Sequence, residues 1–388
     1  MKYDFDTPIN RRGTDSIKWD VAENELPMWV ADMDFSAAPE IRAALQQRLD
    51  HGVFGYADVT DAWYAAYIGW WQRRHSFTME KDWLVFCTGV VPALSSIVRK
   101  LTTPNENVLI QTPVYNIFFN SILNNGCRVL ESPLVYQNGN YSVDFEDLEE
   151  KLSDPQTTLM VLCNPHNPVG KIWERETLAE IGALCKKHHV TVISDEIHCD
   201  ITVPGREYVP FASVSDVCRE VSITCIAPTK AFNLAGMQTA AVCVPDPTLR
   251  HKVWRGLNTD EVAEPNAFAT AAAIAAFGEG APWLDELREY LAGNRAYAAE
   301  YIKAHLPQVH LVPGEATYLL WLDISAISED SCAFAAFLRR ETGLYVSAGA
   351  AYGKAGDGFL RVNVACPRAY VEDGMQRLKA GVEAYIKQ

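Results

Sequence analysis

The stretch V-S-I-T-C-I-A-P-T-K, from Val221 to Lys230, is a short β-rich run that stops at a proline and delivers a lysine. Its length and its β-branched residues suit a strand buried on both faces, and Pro228 ends such a strand. A lysine head is normally solvated, so an amine placed at the end of a buried strand calls for a chemical reason.

Similar apolar runs recur at 84–87 (L-V-F-C), 108–111 (V-L-I-Q), 159–163 (L-M-V-L-C), 190–194 (V-T-V-I-S) and 240–244 (A-A-V-C-V). Most are separated by stretches of helical period, such as E-T-L-A-E-I-G-A-L-C-K-K-H-H at 176–189, whose early Glu and late Lys and His match the helix dipole. Strand, helix, strand in succession predicts an α/β fold: a mostly parallel, doubly wound sheet covered by helices. After Pro282 a long helix is expected over 283–306, followed by short strands around L-L-W-L and F-L-R-V-N-V. With 388 residues, more than the roughly 250–300 that one core usually serves, the chain should divide in two. We expect a large domain over 46–282, a smaller α+β domain over 283–388, and an N-terminal segment, 1–45, that joins the smaller one.

Hydrophobic residues make up 48% and charged residues 21%, ordinary values for a globular chain. The net charge of −15 argues against a nucleic-acid partner, because such binding draws on Lys and Arg. A polar start and the lack of a run of ~20 apolar residues argue against a signal peptide and a membrane span. The ten cysteines are scattered, with no C-x-x-C, and several sit inside apolar runs. That pattern suits buried thiols in a reducing, cytoplasmic setting, with neither a disulfide frame nor a metal site.

In open α/β sheets ligands bind beyond the carboxyl ends of the strands, so the residues just past each run form one group. They are T-G-V-V after Cys87, N-P-H-N-P-V-G after Cys163, Asp195 after Ser194, and Lys230. A desolvated Lys230 would be a nucleophile toward aldehydes and a base near neutrality, and Asp195, one strand away, could hold a proton on a ring nitrogen. These are the two protein groups that pyridoxal 5′-phosphate requires. The amides of Gly89, Val90 and Val91, at a helix start, would take the phosphate, with the Thr229 hydroxyl beside them. Asn167, in a turn made rigid by two prolines, could aim its amide at the cofactor's phenolic oxygen.

The motifs M-W-V-A-D-M-D-F (28–35), L-C-N-P-H-N-P-V-G (162–170), S-D-E-I-H-C-D (194–200) and A-P-T-K-A-F-N-L-A-G (227–236) resemble those of fold-type I pyridoxal-phosphate enzymes of the class I/II aminotransferase superfamily. Within it they resemble the cystathionine β-lyase branch, the MalY/PatB C–S lyases, over essentially the whole chain. The resemblance implies that Lys230 holds the cofactor covalently, that Asp195 pairs with the pyridine nitrogen, and that Asn167 and His198 serve the phenolic oxygen. It implies that Tyr115 stacks on the ring, that Arg361 grips the substrate α-carboxylate, that Asn167 also contacts the substrate, and that the turn at Ala31 and Asp32 closes over it. It further implies that Tyr56 reaches the cofactor phosphate of a neighbouring subunit, and hence a homodimer with active sites at the interface. Two positions depart from the family pattern: Ala227 stands where many relatives have a serine, and Gln238 where many have an arginine, both at the phosphate. Phosphate binding should therefore lean on backbone amides, Thr229 and Tyr56.

The activity so implied is α,β-elimination from a sulfur amino acid, with L-cystathionine the reference substrate, in amino-acid and methionine metabolism. An aminotransferase would use the same residues, and a regulatory protein could bind the cofactor without turnover.

Overall fold

A computed structural model describes residues 2–387. Its centre is a seven-stranded sheet in the spatial order Leu84–Cys87, Ala240–Cys243, Ser222–Ile226, Thr191–Asp195, Thr157–Cys163, Asn107–Ile110 and Arg128–Glu131. All neighbours run parallel except Ala240–Cys243, which is antiparallel to both strands beside it. Two antiparallel steps restore direction, so the strands ending at Cys87 and Ile226 point the same way as those ending at Cys163 and Asp195. Six of the seven strands coincide with the apolar runs. The seventh, R-V-L-E, lies at the sheet edge, where half its surface meets solvent and charged residues are tolerated, so it has no apolar signature.

Helices cover both faces. The helix Asp61–His75 buries Trp63, Tyr67, Trp70 and Trp71. Its partner, Ala269–Glu279, is mostly alanine, and the small side chains let it approach until Phe277 touches three of those four rings at 4.7–5.4 Å. Among the described residues no helix is long and apolar enough to cross a membrane. All ten cysteines are free, and nine of them are buried.

The C-terminal part begins with the helix Ala281–His305 and builds an antiparallel sheet in the order His310–Leu311, Leu319–Asp323, Phe359–Asn363, Ser347–Ala348. The N-terminal segment joins it through a short parallel pairing of Leu26–Pro27 with Leu344–Tyr345. From there residues 29–35 cross to the carboxyl edge of the large sheet, which brings the two parts together around one cleft.

Candidate active site

Parallel strands deliver their next residues to a common edge, and here that edge collects Gly89, Tyr115, Asn167, Asp195, His198 and Lys230. Lys230 follows the strand Ser222–Ile226 in a turn whose Leu234 amide bonds back to the Thr229 carbonyl at 2.8 Å. Its Nζ donates to the Ala31 carbonyl at 2.6 Å. Burial, with the Arg361 charge in support, pulls this amine down to about 8, against the opposing pull of Asp32 and Asp195. An amine that titrates there is part neutral at physiological pH, as a nucleophile or proton acceptor must be.

Asp195 is the last residue of its strand and 5% exposed. Burial pushes its carboxyl up to about 6, opposed by the Ile197 amide, bonded at 3.1 Å, and by the charge of Lys230. The folded chain thus holds a proton between pH 3.8 and about 6 that the unfolded chain has released, so stability falls as pH rises through 6. Asp195→Asn stays neutral throughout and is expected to stabilise the cofactor-free protein by roughly 2–3 kcal/mol above pH 6 and by nothing below pH ~4. Urea melts of both proteins at pH 4 and 7.5 check this, and an equal gain at the two pH values would contradict it.

His198 is buried, and burial first, then the charges of Lys230 and Arg361, lower its ring to about 3. It is a neutral imidazole whose Nδ1 has no partner. Asn167 comes from the turn after Cys163, in which both Asn-Pro bonds are cis. Gly170 closes that turn at φ 73°, and a Cβ there would lie 2.8 Å from the Ala316 carbonyl oxygen. Arg361, 5% exposed, lies across the cleft on the strand Phe359–Asn363. Its Nη1 donates to Asn167 Oδ1 at 3.3 Å and its Nη2 to the Trp29 carbonyl at 2.9 Å, while Nε has no partner. Among the described residues no carboxylate pairs with it, so a buried cation stands ready for an anion from outside.

Tyr115 is close enough for the Asp195 charge to act on it, although burial is the first reason its hydroxyl rises to about 12. The helix Val90–Leu101 opens at Gly89 with no side chain capping its free amides. A Cβ at Gly89 would meet Pro92 Cδ at 3.2 Å, so glycine keeps that approach open. Thr229 is buried beside the lysine, as is Ala227, and Gln238 adopts a left-handed backbone at φ 50°. Tyr56 stands apart from all of these: it is fully exposed, in a stretch without regular secondary structure before the helix Asp61–His75. Contacts and charge bring Lys230, Asp195, His198, Asn167, Arg361, Tyr115, Ala31 and Asp32 together, the helix start at Gly89–Val91 lies at the same edge of the sheet, and Tyr56 lies outside the group.

Three features escaped the motif reading. Asn363 donates to the carbonyls of Val30 and Asp32, both at 2.6 Å, and so fixes the turn whose Ala31 carbonyl receives Lys230. It lies two residues from Arg361 on one strand, so period 2 alone places both on the same face. Tyr318 donates to the same Ala31 carbonyl at 2.9 Å. Below the turn, buried Asp34 accepts from Lys18 and Arg11, both at 2.7 Å, and from Trp19 Nε1 at 2.8 Å. The partners of Asn363 and Tyr318 lie nearly 300 residues or more away in the chain, which is why spacing could not reveal them, whereas those of Asp34 lie 15 to 23 residues before it in an irregular segment.

The residues present fit a pyridoxal phosphate: an amine with lowered affinity for its proton, a buried acid one strand away, an unpartnered imidazole nitrogen, and an uncapped helix start.

Residues 23–378 match the model of the aminotransferase class I and II family. The chain belongs to that family, and its architecture is the fold-type I arrangement. Cystathionine beta-lyase PatB of Bacillus subtilis is 43% identical over 384 residues, covering 97% of this chain and 99% of that one. Cystalysin from Treponema denticola, whose crystal structure contains pyridoxal 5′-phosphate, superposes with a TM-score of 0.96 at 31% identity, covering 99% of this chain and 100% of that one. The C–S lyase from Staphylococcus hominis, also bound to pyridoxal phosphate, gives a TM-score of 0.93 at 32% identity, with 98% of each chain covered.

Proposed function

We propose that this protein is a pyridoxal-phosphate-dependent C–S β-lyase that converts L-cystathionine or a related sulfur amino acid, with water, into a thiol, pyruvate and ammonia. The observation that carries the reading is one cleft in which a lysine of lowered proton affinity shares the space with a buried arginine that no carboxylate balances. Bound pyridoxal phosphate supplies the electron sink that stabilises negative charge at the substrate Cα.

The chain supplies the rest. Arg361 holds the α-carboxylate through its guanidinium fork, whose planar geometry matches a carboxylate. Lys230 Nζ, the residue that anchors the cofactor, takes the Cα proton while the thiolate leaves from Cβ. Asp195 keeps a proton on the pyridine nitrogen. Asn167 and His198 would serve the phenolic oxygen, and Tyr115 would lie against the ring. Gly89, Val90, Val91 and Thr229 receive the phosphate. The strap through Ala31 and Asp32 covers the reacting amine and limits water there.

The same reading makes the protein a cytoplasmic homodimer of sulfur amino-acid metabolism in which Tyr56 completes the neighbouring subunit's phosphate site. Its complete exposure in the single chain supports this, because a large aromatic ring without cover suits an interface. We also divide the chain at 282/283, two residues into the helix Ala281–His305 that opens the C-terminal part, and count residues 1–45 with the smaller domain on the strength of the Leu26–Pro27 pairing.

The deciding experiment gives the holoenzyme L-cystathionine and assays free thiol and pyruvate together. One thiol per pyruvate is expected. A stoichiometric keto acid retaining the sulfur chain, with no thiol, would mark an aminotransferase.

A further inference from the structure

Building on the lyase reading, we infer that the site prefers substrates whose sulfur substituent is uncharged and apolar, an alkyl or aryl thiol leaving group, over the zwitterionic arm of cystathionine. The cavity that holds Lys230 and Arg361 measures about 580 Å³ and runs on past them to the helix Ser331–Thr342. Beyond the amine its wall is mostly apolar, with Trp29, Ala335, Ala336, Val346 and Ala351 beside the uncharged polar side chains of Asn116 and Ser347. Trp29 is held in place: its ring stacks on Tyr345 at 4.7 Å and 17°, and its carbonyl accepts from Arg361 Nη2 and from Ser347 Oγ. A rigid aromatic floor and alanine walls suit a hydrocarbon group.

The charges around the cavity point the same way. No aspartate or glutamate of this chain lines it, and the three charged residues the chain contributes, Lys230, Arg339 and Arg361, are all basic. Arg361 is committed to the α-carboxylate. Arg339 is already compensated, since its Nε and Nη2 meet the Glu25 carboxylate at 2.6 and 2.9 Å, and its guanidinium lies 3.8 Å over the Tyr345 ring. The distal ammonium of cystathionine would enter a space with no acceptor carboxylate and with cations nearby, and its distal carboxylate would compete with Glu25. Charged groups desolvated without partners weaken binding, whereas an apolar arm gains by burial against the same wall.

The test measures kcat/KM of the holoenzyme for S-benzyl-L-cysteine and for L-cystathionine, with thiol and pyruvate assayed in both. The first is expected to exceed the second by about tenfold or more. An equal or reversed ratio overturns the inference and leaves the lyase reading standing, whereas thiol and pyruvate from neither substrate overturns both. Ala336→Glu adds a carboxylate to the wall at an exposed helical position, where glutamate is well tolerated. It is expected to move the ratio several-fold toward cystathionine, and a ratio it leaves unmoved would mean that this wall does not select the leaving group.

Discussion

Lys230→Ala is expected to lose thiol release by about 10²–10⁴-fold or more, the range attributed to a positioned base. After incubation with pyridoxal phosphate and reduction with borohydride, the wild-type peptide 225–236 should carry a pyridoxyl mass and the variant peptide none. The reason lies in the surroundings of one nitrogen. Burial and the Arg361 charge lower its proton affinity to about 8, so its neutral form is available, and the Ala31 carbonyl 2.6 Å away fixes its direction. Alanine removes that amine from the cleft. A variant that keeps both turnover and the adduct would break the assignment. The same inert chain also tests the dimer. Tyr56→Ala subunits lack the residue proposed to cross the interface, while Lys230→Ala subunits still have it, so each mixed dimer contains one intact site. Activity should therefore return on mixing two inactive preparations under exchange conditions, and no recovery in a proven mixed dimer would refute the crossing.

Arg361→Met is expected to lower kcat/KM by about 100-fold, mostly through KM, because the lost contact is one that truncation of a buried charged partner typically makes costly. The variant should nevertheless fold. Arg361 is buried with no carboxylate to balance it, so methionine of similar reach exchanges an uncompensated cation for an apolar group, and the urea midpoint of the cofactor-free protein should hold or rise. A second consequence follows from the charge. Arg361 depresses the Lys230 titration, so its removal should move the Lys230 transition above about 8, which the pH dependence of lysine acylation at that peptide reads directly. Arg361→Lys keeps the charge without the fork and should fall between wild type and methionine in KM. A variant with unchanged KM would remove Arg361 from substrate binding.

Local order was the most legible part of this chain. Six buried strands showed as apolar runs because a strand covered on both faces cannot afford polar residues, while R-V-L-E, at a half-solvated edge, carried no such constraint. Lys230, Asp195 and Asn167 were legible because each follows such a strand directly, and parallel strands must release their next residues at a common edge. Asn363 could have been found from its period-2 relation to Arg361, yet its partners, the carbonyls of Val30 and Asp32, lie more than 300 residues away.

Sequence alone therefore determined six strands of the sheet, their common edge and the lysine proposed to react, since these depend on short-range pattern and on one handed rule of connection. The tertiary structure decided everything that depends on long-range approach. It set the Ala31 carbonyl against Lys230, left Arg361 without a carboxylate, neutralised Arg339 with Glu25, and closed the far wall of the cavity with a helix from the C-terminal part. The physical reason is that a titration, an unpaired charge or a cavity wall is a property of groups brought together from distant positions, and no single segment contains it.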